Sequence, residues 1–105
     1  MVKFVESEGE WMALMEQSKE KLVVVDFTAS WCGPCQMVAP HFEAMSNEYT
    51  NAIFVKLDVD AQDKIAQKCG IRAMPTFQFY KNGEKVDELM GANVAELKKK
   101  VTTLA

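Results

Sequence analysis

The sequence predicts one α/β domain over residues 1–105: a central mixed sheet of five strands flanked by four helices. Three observations lead to that reading. Leu22 to Phe27 is an apolar run almost without alternation, the pattern of a central strand covered on both faces. A segment of helical periodicity and a second apolar run follow it with short links, and such a strand–helix–strand unit closes as a right-handed parallel crossover. Asn82-Gly83 then stands between two further strand-like runs, a strong two-residue hairpin signal that adds an antiparallel pair. The order is β-α-β-α-β-α-β-β-α.

Each element has its own warrant. Val2 to Val5 reads as a short first strand. Ser7 and Glu10 have capping-box spacing, and Trp11, Leu14, Met15 and Ser18 share one face, so residues about 8 to 18 form a helix. Lys21 to Thr28 is the strongest strand. The next helix opens at the Cys-Gly-Pro-Cys stretch, and Val38, Phe42, Met45 and Tyr49 supply its core stripe. Pro34 sits in its first turn, where a missing N–H costs nothing, whereas Pro40 lies mid-helix and is expected to kink it. Ala52 to Val59 is a strand. Asp60 to Cys69 is a short helix closed by Gly70. Thr76 to Tyr80 and Lys85 to Met90 are the hairpin strands. Asn93 with Glu96 caps the last helix, with Val94, Leu97, Val101 and Leu104 inward and Lys98, Lys99 and Lys100 as a solvated face. No linker, repeat or low-complexity tract divides the chain.

Composition narrows the function. Of 105 residues 49% are hydrophobic and 26% charged, enough for a real core. A formal net charge of -3 leaves no electrostatic footprint for nucleic acid or an anionic membrane. The longest aliphatic block, Leu22 to Val25, is stopped by Asp26, too short to cross a bilayer. Three cysteines are too few, and odd in number, for a secreted disulfide scaffold. Met1-Val2-Lys3-Phe4 lacks the apolar core of a signal peptide. The expectation is a cytoplasmic protein in a reducing compartment, where a Cys-x-x-Cys pair is redox-active or metal-binding rather than a staple.

The chemistry concentrates at Trp31-Cys32-Gly33-Pro34-Cys35, a strand–helix junction. Residues three apart in a first helical turn lie on one side, so the two sulfurs can join as a disulfide or open as a dithiol. The helix N-terminus offers unpaired N–H groups and the positive end of the dipole, which favour a thiolate. A zinc site is the rival, since Cys-x-x-Cys is half of a tetrathiolate set. Its other half is missing: only Cys69 and His41 remain, the first packing as a small hydrophobe and the second on a helix surface. Asp26 interrupts an otherwise apolar strand. Either the strand frays and Asp26 reaches water, or it is a buried acid able to exchange protons with Cys35.

Val25-Asp26-Phe27, Trp31-Cys32-Gly33-Pro34-Cys35, Pro40, Met74-Pro75-Thr76 and Lys81-Asn82-Gly83 occur in this order, and with them the whole chain resembles the thioredoxin family. The resemblance implies the thioredoxin fold, with its first strands parallel and the hairpin strand antiparallel. It implies a thiol–disulfide oxidoreductase that reduces protein disulfides. Cys32, at the helix tip, would attack; Cys35 would resolve the mixed disulfide, leaving a Cys32–Cys35 bond. Asp26 would accept and return the proton, with Lys56 on the neighbouring strand as its partner. Pro75 would follow a cis bond, facing the sulfurs, turning the Met74 backbone toward substrate and keeping metals off the dithiol. Trp31, Gly33, Pro34, Met74, Gly91 and Ala92 would complete a flat apolar surface for extended protein segments. No bound cofactor or metal is implied. Electrons would come from NADPH through a thioredoxin reductase and pass to disulfide-containing proteins such as peroxiredoxins, the chain acting as a monomer.

Two positions depart from parts of the family. Thr28 stands where many bacterial members have tryptophan, which points to the eukaryotic type. Ala73 stands where some animal members have an extra cysteine, so no intermolecular disulfide is expected there. Two other functions remain: a disulfide isomerase or oxidase of the same fold, which Gly33-Pro34 argues against, and a docking module using the Trp31/Pro75 surface without redox chemistry.

Overall fold

The computed structural model describes residues 2–105. Its elements are β1 (Lys3–Phe4), α1 (Glu8–Gln17), β2 (Val23–Thr28), α2 (Gly33–Glu48), β3 (Ile53–Asp58), α3 (Asp63–Lys68), β4 (Thr76–Lys81), β5 (Glu84–Met90) and α4 (Val94–Leu104). The expected order and the five-stranded mixed sheet are both present. Strands lie in the order β1-β3-β2-β4-β5. β1, β3 and β2 run parallel, while β4 runs antiparallel to β2 and to β5.

β2 takes the centre because every one of its residues is buried, Asp26 included. That removes the frayed-strand alternative. Alternate residues serve opposite layers. Val24, with Phe54, Phe77 and Phe79, packs under Val38, Phe42 and Met45 of α2 and Leu97 and Val101 of α4. Val23, Val25 and Phe27 meet Trp11 and Leu14 of α1 and Ile65 and Ala66 of α3. Aromatic edges lock both layers: Phe42 meets Phe54 at 5.3 Å, and Trp11 meets Tyr80 at 5.4 Å.

Three local readings needed correction. α3 begins at Asp63 rather than Asp60 because the Asp58 carboxylate accepts the Asp60 and Ala61 amides at 2.8 and 3.2 Å, folding those residues into a turn. The lysine run is not uniformly solvated: Lys100 donates to Asp87 at 2.9 Å and ties α4 to β5. Ser18 follows α1 as its C-cap instead of extending its stripe. Pro40 removes one helical hydrogen bond, yet α2 runs through it from Gly33 to Glu48. The hairpin turn has φ of 55° at Asn82 and 76° at Gly83, the doubly left-handed geometry that Asn-Gly favours.

Ser18 joins α1 to that hairpin. Its hydroxyl accepts the Gly83 N–H at 2.8 Å and its carbonyl accepts the Asn82 N–H at 2.8 Å. Ser18→Ala leaves the Gly83 amide without its acceptor in a part-buried place. It should lower stability by about 1–2 kcal/mol, read as a lower urea midpoint with an unchanged slope.

Candidate active site

The parallel crossover fixes the site. β2 ends at Thr28, the buried Ala29 turns the chain, and the Cys32 N–H donates to the Ala29 carbonyl at 3.2 Å. Cys32 is then the N-cap of α2, with extended φ and ψ of -91° and 109°. Its Sγ accepts the Cys35 N–H at 3.2 Å. One orphan donor of the helix is therefore spent on sulfur. Cys32 and Cys35 form a disulfide, their Cα atoms 5.2 Å apart. Cys32 is 5% exposed and Cys35 1%, so the outer sulfur is the one expected from the sequence.

The loop before β4 supplies the opposite wall. The Met74–Pro75 bond is cis, and the Met74 carbonyl oxygen lies 3.7 Å from Cys32 Sγ. Gly91, at φ 96°, donates its N–H to the Pro75 carbonyl at 2.8 Å, and the next residue, Ala92, packs against the α2/α4 core layer. Gly33 and Pro34 are exposed, Met74, Gly91 and Ala92 half-buried, and Pro75 buried. Trp31 is 67% exposed, with its indole N–H donating to Asp60 Oδ2 at 2.9 Å. Sequence reading overlooked two neighbours. Met90, paired in register with Thr76, is 63% exposed, and Met37 on α2 is 73% exposed. The available signal was weak: Met37 falls off the Val38, Phe42 and Met45 stripe of its helix, and Met90 ends its strand. The anchor of Trp31 on Asp60 crosses 29 positions and left no local trace.

Behind the disulfide lies a chamber of about 220 Å³ lined by Asp26, Cys35, Gln36, Lys56, Asp58 and Phe4, among others. Asp26 is 1% exposed, and neither carboxyl oxygen has a hydrogen-bond partner in the protein. Burial pushes its pKa from 3.8 up to about 7, against an opposing pull from the Lys56 charge. Asp26 and Lys56 are register partners on the parallel β2–β3 pair. The expected partnership is electrostatic and not a contact: the Lys56 ammonium lies over the Phe4 ring, 5.4 Å from its centroid.

Comparison with known proteins agrees with this geometry. The family model described as Thioredoxin matches residues 2–103. The chain belongs to the thioredoxin family. It is 53% identical to thioredoxin-1 of Schizosaccharomyces pombe over 92% of both chains, and 48% identical to horse (Equus caballus) thioredoxin over 92% of both. The crystal structure of Fasciola hepatica thioredoxin superposes with a TM-score of 0.95 at 38% identity, covering 99% of this chain and all of that one.

Thioredoxins are protein thiol–disulfide oxidoreductases and carry no bound cofactor, and in this member Cys32 and Cys35 hold the redox-active position. No helix is long and apolar enough to cross a membrane, and no group of three or more His, Cys, Asp or Glu placed to hold a metal occurs among the described residues. His41 is exposed on α2. Cys69 is a free, half-buried thiol packed at the edge of the α1/α3 layer; burial raises its pKa, so it stays a thiol.

Asp26 makes stability depend on pH with a definite sign. Its folded pKa lies above its unfolded one, so the folded state holds the proton longer and loses stability as pH rises from about 4 to about 7. The full cost, reached above that window, is on the order of 4 kcal/mol at about 1.36 kcal/mol per unit. Asp26→Asn, which mimics the protonated acid, should stabilise the oxidised protein by up to ~4 kcal/mol at pH 8 and by little at pH 4. Urea midpoints at the two pH values check it; an equal gain at both would contradict the assignment.

Proposed function

We propose that this thioredoxin-family protein is a cytoplasmic, monomeric, single-domain reductase of protein disulfides. The observation that carries this reading is the Cys35 N–H aimed at Cys32 Sγ at a helix tip. In the reduced protein the same donor and the helix dipole stabilise a Cys32 thiolate. That thiolate attacks one sulfur of a substrate disulfide, forms the mixed disulfide and expels the other substrate sulfur as thiolate. Cys35 then attacks Cys32 Sγ. Its proton passes to the Asp26 carboxylate, which shares the chamber with it. The second substrate thiolate leaves, and two electrons have moved from the Cys32/Cys35 dithiol to the substrate.

A thiol buried as deeply as Cys35 needs a nearby base to give up its proton. An Asp26 pKa of about 7 supports a group that is part acceptor and part donor at neutral pH. Trp31, Gly33 and Pro34 are exposed, with Met74, Gly91 and Ala92 half-buried beside the buried Pro75, and this set, assigned to the rim of the outer sulfur, is mostly apolar, which supports contact with extended protein segments rather than a small molecule. The free Cys69 thiol supports a reducing compartment. In the proposed cycle NADPH recharges the disulfide through a thioredoxin reductase.

Insulin-disulfide reduction with NADPH and a thioredoxin reductase tests the cycle. The parent should turn over. Cys35→Ser should accumulate a mixed disulfide on Cys32, and Cys32→Ser should trap nothing. A folded protein with free thiols and no turnover would replace the reductase by a docking module. Asp26→Asn should slow resolution near pH 7 by roughly tenfold to a hundredfold, at or below the low end for general acid–base catalysis because thiols lose protons readily. It should also erase the rise in rate through about pH 7. Equal rates for parent and variant from about pH 6 to 9 would remove Asp26 from the proton path.

A further inference from the structure

The proposed proton site has an outer boundary that its chemistry does not explain. Phe4, Lys56 and Asp26 occupy one row across β1, β3 and β2: Phe4 is in register with Lys56, and Lys56 with Asp26. All three line the chamber that also contains Cys35. β1 is only two residues long and both are exposed, yet its Phe4 ring faces a lysine ammonium at 5.4 Å. A large aromatic residue 46% exposed on an edge strand contributes little to the core. What it does contribute is a place for a cation.

We propose that Phe4 is a positioning residue for the Asp26 proton: its ring holds the Lys56 ammonium at the chamber mouth, within Coulomb reach of Asp26 but out of contact. This rests on the reading of Asp26 as the proton acceptor. The position matters because it is intermediate. A direct ion pair would fix Asp26 as a carboxylate, a good acceptor that cannot return the proton. An ammonium free in bulk water would leave Asp26 protonated and unable to accept. The remaining groups facing the chamber are Asp58 on β3 and Cys35 on α2; Gln36, Thr28 and Ser30 are neutral, and Phe77, the β4 register partner of Asp26, carries no charge. Lys56 is thus the one cation lining the chamber among the described residues, and its location sets the balance.

The test titrates the Asp26 side-chain carboxyl carbon by NMR in parent, Phe4→Leu, Phe4→Tyr, Lys56→Met and Phe4→Leu/Lys56→Met. Phe4→Leu keeps apolar bulk and removes the ring face, which is worth about 0.5–1 kcal/mol to a cation at an exposed site. The ammonium then drifts to solvent, and the Asp26 midpoint rises by roughly half a pH unit. Phe4→Tyr should restore the parent value. Lys56→Met should give the largest rise, and adding Phe4→Leu to it should change nothing further. An unmoved midpoint in Phe4→Leu, or an equal shift with and without Lys56, would overturn the proposal. The titration is independent of activity. If it behaves as expected while exchange rates ignore it, Phe4 stands as assigned and the proton role of Asp26 falls.

Discussion

A sulfur atom caps the central helix, and the rest of the site depends on that. The first turn of α2 has backbone donors to satisfy, and helices usually satisfy them with Ser, Thr, Asp or Asn oxygens. Here Cys32 Sγ takes the Cys35 N–H. A neutral sulfur is a poor acceptor and a thiolate a good one, so the cap is strongest in the charged, reduced state from which exchange begins. The arrangement holds only if the helix tip cannot fray. Val38, Phe42 and Met45 anchor the helix in the core, and Pro34 fixes the backbone of the first turn. Packing two turns away therefore sets the chemistry at the tip.

Asp26 works against that stability. β2 must be buried to carry the helix, and a carboxylate within it has no hydrogen-bond partner in the protein. Had the position been only structural, an apolar residue would pack better there. The carboxyl is tolerated because below about pH 7 it stays neutral and no bare charge is buried. The same burial that weakens the fold at alkaline pH brings its titration to neutrality. Destabilisation and a titration near neutrality are thus one property seen in two measurements.

Much of this was legible in the sequence, for physical reasons that differ by residue. The unbroken run around Val24 and the Asn82-Gly83 pair report local propensity and pattern, and the structure has both elements there. Cys32 and Cys35 were legible because their spacing alone brings the sulfurs together. What escaped was contact between distant segments. The Trp31 indole finds Asp60, Ser18 finds the hairpin amides, and the Glu43 carboxylate accepts the Val2 N–H at 3.1–3.2 Å across 41 positions. None of these leaves a period or a spacing. The helix starting at Asp63 was missed because one side chain, Asp58, outcompetes the helix for its first amides. Lys56 was expected against Asp26, and its register is as expected; that its ammonium lies over the Phe4 ring is a tertiary placement no spacing reports.

The accessible face follows from the same economy of exposure. Cys32 is nearly covered, and the Met74 carbonyl stands 3.7 Å from its sulfur, so in the proposed cycle a substrate disulfide would approach beside Met74 and Pro75. Exclusion of water there strengthens the interaction of the N–H donor with charge on sulfur. The exposed Trp31, Met37 and Met90 side chains offer apolar area around that narrow point, and methionine adapts its shape to different partners. A deep pocket would bind one substrate tightly and release its product slowly. A shallow rim gives weak, general contact, and weak contact suits a carrier that must leave each partner once the second thiolate is released. In the proposed cycle selectivity would reside less in side-chain complementarity than in whether a partner can present a disulfide on a strand flexible enough to enter the gap.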